Sequence, residues 1–389
     1  MQKFKFPLAT SSWDEAEINA MQSVIATGNF TMGEKVEKFQ IDFATYFGCK
    51  YCVMVNSGSS ANLLMIAALF YTNDSRLKLK KGDEVIVPAI SWSTTYYPLY
   101  QYGLKIKFVD VDLETLNYDL NQLNEAVNEN TKLIVAVNLL GNPNNFQIIN
   151  EIIEKNNIIL IEDNCESLGA KFNDKYTGTF GIMGSFSTFY SHHISTMEGG
   201  MIVTDNEELF HILLSLRAHG WTRNLPKVNY ITGTKDSDPF VESFRFVLPG
   251  YNVRPLELEG AIGIEQVKKL DSIIYNRRIN GSKVQKLFSN HPDLLIQKEI
   301  GESSWFGFSL VIRPQSCLTR DVLIVKLNEL GFETRPIVTG NFAKNEVVKY
   351  FDSEIFGKLE NASHIDKNGL FIGNHHFSMD EAMDTLSLI

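Results

Sequence analysis

Ile158-Ile159-Leu160-Ile161-Glu162-Asp163-Asn164-Cys165-Glu166 is the stretch from which the fold is read. Four consecutive apolar residues, three of them β-branched, that stop at a polar cluster describe a strand buried on both faces, as in a parallel sheet covered by helices. Similar runs recur at Tyr51–Val55, Glu84–Val87, Ile106–Val111, Leu133–Val137, Ser185–Phe189 and Met201–Thr204, with helical stretches between them. The alternation predicts an α/β domain built on a mainly parallel, seven-stranded sheet, with ligands gathering at the carboxyl ends of its strands. After Gly250 the pattern changes to a long helix from Pro255 to about Phe288, a strand at Trp305–Ile312 and a helix near Arg320–Leu330. We expect a large domain over residues 1–254 and a smaller α+β domain over 255–389, packed together because no low-complexity linker separates them.

Composition narrows the function. The 389 residues carry 36 Lys and Arg against 46 Asp and Glu, a net charge of −10, with 44% hydrophobic and 21% charged residues. A globular enzyme fits these values, and a nucleic-acid binder, which needs a clustered basic surplus, does not. The longest apolar run, Leu63–Phe70, is far short of the roughly 20 residues that span a bilayer, so no membrane partner is expected. The start, Met1-Gln2-Lys3-Phe4-Lys5-Phe6-Pro7, lacks the apolar centre of a secretion signal, and a cytoplasmic location is expected. Cys49, Cys52, Cys165 and Cys317 do not form a disulfide framework. The lone Cys49-x-x-Cys52 has no second pair or nearby His, so no metal site is expected.

Three further segments carry chemistry. Asn56-Ser57-Gly58-Ser59-Ser60-Ala61-Asn62 follows a strand and opens a helix, Ala61 to Tyr71, where small residues let backbone amides approach an anion. By itself it is equally an ordinary Ser N-cap. Trp92, after another strand, offers an indole that could stack on a planar ring or simply fill the core. Asp163, at a strand's end, could pair with a protonated pyridine nitrogen, although acidic residues commonly end strands. The most specific segment is Gly184-Ser185-Phe186-Ser187-Thr188-Phe189-Tyr190-Ser191-His192-His193-Ile194-Ser195-Thr196-Met197-Glu198-Gly199-Gly200.

Together and in this order, these pieces resemble the vitamin B6-dependent nucleotide-sugar aminotransferase and dehydratase family, the DegT/DnrJ/EryC1/StrS type, over nearly the whole chain. The resemblance implies the aspartate aminotransferase fold, fold type I. Most members carry a Lys at the position of His192 and bind pyridoxal phosphate through it. No Lys occurs between Lys175 and Lys227, so a slip of register does not restore one. Imidazole forms no lasting covalent link of that kind, but it can shuttle protons near neutral pH. The branch of the family with this His removes the 3-hydroxyl of a GDP-linked 4-keto-6-deoxy sugar.

That branch implies non-covalent pyridoxamine 5′-phosphate and pyridoxal 5′-phosphate, L-glutamate as amino donor, a homodimer and a place in deoxysugar (colitose, O-antigen) biosynthesis. Carried over by position, Gly58, Ser59 and Ser187 match the phosphate site, Trp92 the stacking aromatic and Asp163 the partner of the pyridine nitrogen. His192 matches the base. Glu166 lies beside the cofactor's phenolic oxygen and is expected to pair with His192, favouring imidazolium. His219 and Arg223 match substrate-side residues, and Asn252 matches the residue a neighbouring subunit lends to the phosphate. His193 is expected to be structural. The competing expectation is a pyridoxal phosphate-dependent aminotransferase that forms an amino sugar.

Overall fold

The computed structural model describes residues 4–389; Met1, Gln2 and Lys3, part of the start tested for a secretion signal, lie outside the described residues. Its main sheet holds β1 (Tyr51–Val55), β2 (Glu84–Pro88), β3 (Lys105–Val109), β4 (Thr131–Val137), β5 (Ile159–Asp163), β6 (Met183–Ser187) and β7 (Gly200–Thr204). A second sheet holds β8 (Leu294–Ile296), β9 (Gly307–Ile312), β10 (Thr334–Arg335) and β12 (Gly369–Gly373), and β11 (Ser353–Ile355) returns to the main one. The main sheet therefore has eight strands in the order β1-β7-β6-β5-β4-β2-β3-β11, not seven. β7 alone runs against the others.

Strand β11 escapes a pattern reading because charge, not apolar periodicity, secures it. It pairs in parallel with β3, and Glu354 bonds Lys105 at 2.8 Å and Lys107 at 3.2 Å. Helices Gly58–Tyr71, Ser93–Gln101 and Glu207–Arg217 cover one face of the main sheet, and Leu120–Ala126 and Phe146–Asn156 cover the other. Strands β2 and β5, between these layers, are buried throughout, which is why they read as apolar runs. Among the described residues no helix is long and apolar enough to cross a membrane.

The helix Glu257–Phe288, 32 residues long, belongs to two cores. Ile264, Leu270, Ile273 and Ile274 pack with the helix Glu34–Phe47 beneath the main sheet. Val284 and Phe288 pack with the second sheet. At its start the Glu257 carboxylate accepts from the amides of Gly33 and Lys35, both at 2.6 Å, and so caps the neighbouring helix.

A buried ion pair closes the sheet edge: Lys107 Nζ donates to Glu84 Oε1 at 2.8 Å, and the same oxygen accepts from Thr131 Oγ1 at 2.7 Å. Both side chains are 4% exposed. Removing Lys107 leaves the buried Glu84 carboxylate without its ion-pair partner. Lys107→Met should therefore cost about 3–5 kcal/mol in urea unfolding. The double variant Lys107→Met/Glu84→Leu should recover part of that loss, and a single variant as stable as wild type would refute the assignment.

Candidate active site

The carboxyl ends of five strands open into one cleft of about 390 Å³. β1 delivers Gly58 and Ser59, β2 delivers Trp92, β5 delivers Asp163 and Glu166, and β6 delivers Ser187 and His192; all of them line the cleft. β4 adds Leu139.

The helix after β1 begins at Gly58, three residues earlier than expected, so the small residues form its first turn. Ser57 caps it by accepting from the Ser60 amide at 3.1 Å, which leaves the amides of Gly58 and Ser59 without an intrahelical acceptor. Glycine is required at 58 by contact: a Cβ would stand 2.8 Å from Ser187 Cβ and 2.9 Å from Cys165 Sγ. Positive helix dipole, free amides and the hydroxyls of Ser59 and Ser187 meet there.

Asp163 is 5% exposed, yet its carboxylate is held by donors from three elements. Oδ2 accepts from Asn62 Nδ2 at 2.8 Å and Thr95 Oγ1 at 2.7 Å. Oδ1 accepts only the Cys165 amide, at 3.2 Å, and so retains acceptor capacity toward the cleft. Asn62 was not anticipated, although a polar residue one turn into an otherwise apolar helix is a readable signal. Trp92 is 57% exposed at the cleft wall, so it is not a core residue; Tyr96, fully buried, is.

Strand β6 ends at Ser187, and the chain then makes a tight loop closed by Thr188 N→Gly199 O at 2.9 Å and Tyr190 N→Met197 O at 3.0 Å. Gly199 sits at φ +154 with Thr188 and Thr196 hydroxyls within 2.4 Å of where a Cβ would be, so no larger residue fits. His192 lies at the loop's tip, its Nδ1 buried without a hydrogen-bond partner. The Phe306 ring packs against it at 5.2 Å. His193 points away and bonds the Ser304 carbonyl at 3.1 Å, in keeping with a structural role.

The expected Glu166–His192 pairing is absent. Glu166 instead accepts from the Leu140 amide at 3.1 Å. Burial pushes the Glu166 carboxyl up to about 7, against the Leu140 amide and with help from Asp163. Burial, then the charge of Arg277, pushes His192 down to about 4. Between these values the proton sits on the carboxyl and the imidazole is neutral, the reverse of an imidazolium–carboxylate pair.

Three expected residues are elsewhere. Asn252, exposed, accepts from Arg254 Nε at 3.0 Å. His219, at φ +63, and Arg223 both pack on Trp221, at 5.2 and 4.4 Å. None of the three lines the cleft of its own chain. Among the described residues the one Lys or Arg that does is Arg335, from the second sheet.

The donor set suits a B6 phosphate ester: an anion cradle at Gly58, Ser59 and Ser187, a buried carboxylate with spare capacity at Asp163, an exposed indole at Trp92 and no lysine among the lining residues. Among the described residues no cluster suited to a metal ion occurs.

Comparison with known proteins agrees. A profile of the DegT/DnrJ/EryC1/StrS aminotransferase family matches residues 11–386. GDP-4-keto-6-deoxy-D-mannose 3-dehydratase of Yersinia pseudotuberculosis is 61% identical over 382 residues, 98% of this chain and 97% of that one. Solved structures are similarly close. The E. coli GDP-4-keto-6-deoxy-D-mannose-3-dehydratase with bound hydrated PLP aligns at a TM-score of 0.98 and 60% identity, covering 100% of this chain and 99% of that one. A GDP-4-keto-6-deoxymannose-3-dehydratase with a trapped PLP-glutamate geminal diamine aligns at 0.97 and 60% identity, covering 99% of each.

The raised Glu166 carboxyl has a measurable consequence. A carboxyl whose folded pKa exceeds its ordinary 4.5 binds more protons folded than unfolded, so its stability contribution is present at low pH and is lost as pH rises through about 7. Glu166→Gln keeps an acceptor for the Leu140 amide without the charge. In the cofactor-free chain it should match wild type near pH 4.5 and exceed it by about 2–3 kcal/mol at pH 8, read as urea midpoints. A difference that does not change with pH would refute the burial argument.

Proposed function

The chain belongs to the DegT/DnrJ/EryC1/StrS aminotransferase family, and from that membership and the cleft we infer that it is a vitamin B6-dependent 3-dehydratase of deoxysugar biosynthesis. It removes the C3 hydroxyl of GDP-4-keto-6-deoxymannose to give GDP-4-keto-3,6-dideoxymannose and ammonia, and glutamate restores the cofactor's amine. One observation carries this reading over amine transfer: the residue at the loop's tip is His192, and no lysine among the described residues lines the cleft.

When bound, pyridoxamine phosphate supplies an amine for the sugar's C4 ketone and a pyridinium that accepts the electron pair left at its C4′ carbon. The helix start at Gly58 and Ser59, with Ser187, would hold the phosphate. Asp163 would keep the ring nitrogen protonated, because a buried carboxylate favours a positive charge beside it. Trp92 would cover the ring and shield the reacting atoms from water. His192, neutral near pH 7, would take the C4′ proton and return a proton to the departing 3-hydroxyl. Glu166, protonated up to about 7, would face the phenolic oxygen as a hydrogen-bond donor. Arg335 offers the cleft's cation for a carboxylate of glutamate.

Asn252, His219 and Arg223 are proposed to serve the site of a second subunit. Their surface also exposes Phe240 at 87%, with Phe244 and Phe246 beside it, apolar area that a homodimer would cover. The same reading treats residues 1–254 as the cofactor-binding unit and 255–389 as the smaller one, in a cytoplasmic enzyme whose partners do not include nucleic acid or membrane.

Given GDP-4-keto-6-deoxymannose, pyridoxamine phosphate and glutamate, the protein should release ammonia and a 3-deoxy sugar, with glutamate consumed in equal amount. A 4-amino sugar that keeps its 3-hydroxyl, seen by NMR as the main product, would establish the aminotransferase alternative instead. Borohydride treatment of the pyridoxal phosphate form should leave the mass of the chain unchanged, whereas a stoichiometric adduct would contradict non-covalent binding. Mixing inactive His192→Asn and Asn252→Asp chains should restore activity through one intact shared site; if mixtures stay inactive, the shared site is wrong.

A further inference from the structure

Behind His192 the long helix carries a buried cation without a carboxylate partner. Arg277 is 5% exposed, and its Nη1 donates to the Phe306 carbonyl at 3.1 Å and more weakly to that of Trp305 at 3.4 Å. Its Nε is buried and unpartnered. Burial alone, with no acidic neighbour to offset it, pushes the guanidinium down to about 10. An uncompensated buried charge is costly, and it persists only where the surroundings fix it.

The segment that Arg277 grips is strained and closely packed. Trp305 sits at φ +48, in the left-handed region, and Gly141 and Gly281 leave room for its backbone and indole. Asn374 Nδ2 donates to the same Trp305 carbonyl at 2.8 Å and to the Arg277 carbonyl at 3.1 Å. Beyond it, the Phe306 amide bonds the Leu140 carbonyl at 3.0 Å, and the Leu140 amide is the donor to Glu166. The Phe306 ring lies edge-on to His192. One buried arginine thus sets the backbone from which both His192 and Glu166 take their surroundings.

We propose that Arg277 is a positioning residue for His192: it fixes the ring's place through Phe306 and holds beside it a positive charge that opposes a second one on the imidazole. The proposal rests on the reading of His192 as the base. The groups around His192 are Asp163 and Glu166 from the end of β5, His193 and Glu198 from its own loop, Arg335 from β10 and Arg277 from the long helix, while His375 and His376 beyond β12 face Arg277 rather than His192. Glu166 stays protonated up to about 7 and so does not cancel the arginine below that pH, and the Asp163 carboxylate is turned to Asn62, Thr95 and the Cys165 amide rather than to His192. His193 and His375, both buried, are pushed down by the same pair of causes, burial and then Arg277.

The test uses the full chain loaded with pyridoxamine phosphate and labelled at histidine 13Cε1, titrated by NMR from pH 4.5 to 8. A His192→Asn spectrum identifies the His192 signal. In wild type that signal should keep its neutral position down to about pH 5. Arg277→Gln, which retains a donor for the carbonyls but no charge, should raise the His192 midpoint by one unit or more, and the acidic limb of kcat/KM should move with it. Arg277→Lys should restore the wild-type midpoint. A wild-type His192 that titrates at or above 6.5 overturns the proposal even if no variant folds, and so does an Arg277→Gln protein whose His192 midpoint does not move. Failure of the base assignment is separate: His192→Asn would then turn over substrate, whatever the titration shows.

Discussion

The burial of the Asp163 carboxylate constrains everything around it. A charge taken out of water costs several kcal/mol unless donors replace the lost solvent. Here they come from the helix Gly58–Tyr71 through Asn62, from the helix Ser93–Gln101 through Thr95, and from the turn after β5 through Cys165. Asn62 is itself oriented by Ser185 on β6, whose hydroxyl donates to Asn62 Oδ1 at 2.6 Å. The ends of four strands are thereby tied to one carboxylate. The anion cradle at Gly58 and the indole of Trp92 sit where they do because the helices that carry them also supply those donors.

The strands were legible because burial on both faces leaves an unbroken apolar signature, and Tyr51–Val55 was read to the residue. Strand β11 was not legible, because its three residues are secured by Glu354 and two lysines in a segment without periodicity. The cleft residues at strand ends were readable from polar residues that follow apolar runs. The state of Glu166 and His192 was not. The family resemblance suggests an ion pair, whereas their protonation depends on Leu140 and Arg277, 26 and 85 positions away along the chain, whose proximity arises only on folding.

A neutral imidazole beside a protonated carboxyl changes how the missing lysine should be understood. A lysine at this position would have to lose its proton to act, and burial near Arg277 would favour that loss. Histidine reaches the same uncharged state with a smaller shift and stays a proton carrier that cannot be consumed in a covalent link. On the proposed reading, surroundings that would suit an amine nucleophile thus also suit an imidazole base.

The long helix explains how the two sides of the cleft keep register. Near its start, Gln266 accepts from the Ser195 amide at 3.0 Å and so braces the loop that carries His192. Eleven residues on, at a rise of about 1.5 Å each, Arg277 grips the Trp305–Phe306 segment that forms the opposite wall. The loop and the wall come from different sheets. A single rigid helix with one polar side chain directed to each fixes the separation of His192 and Phe306. Any shift of the second sheet relative to the first must then bend or slide this helix, which is anchored at its start by the Glu257 cap. The precision of His192's placement is therefore a property of the helix, set more than 60 residues away in sequence from that histidine.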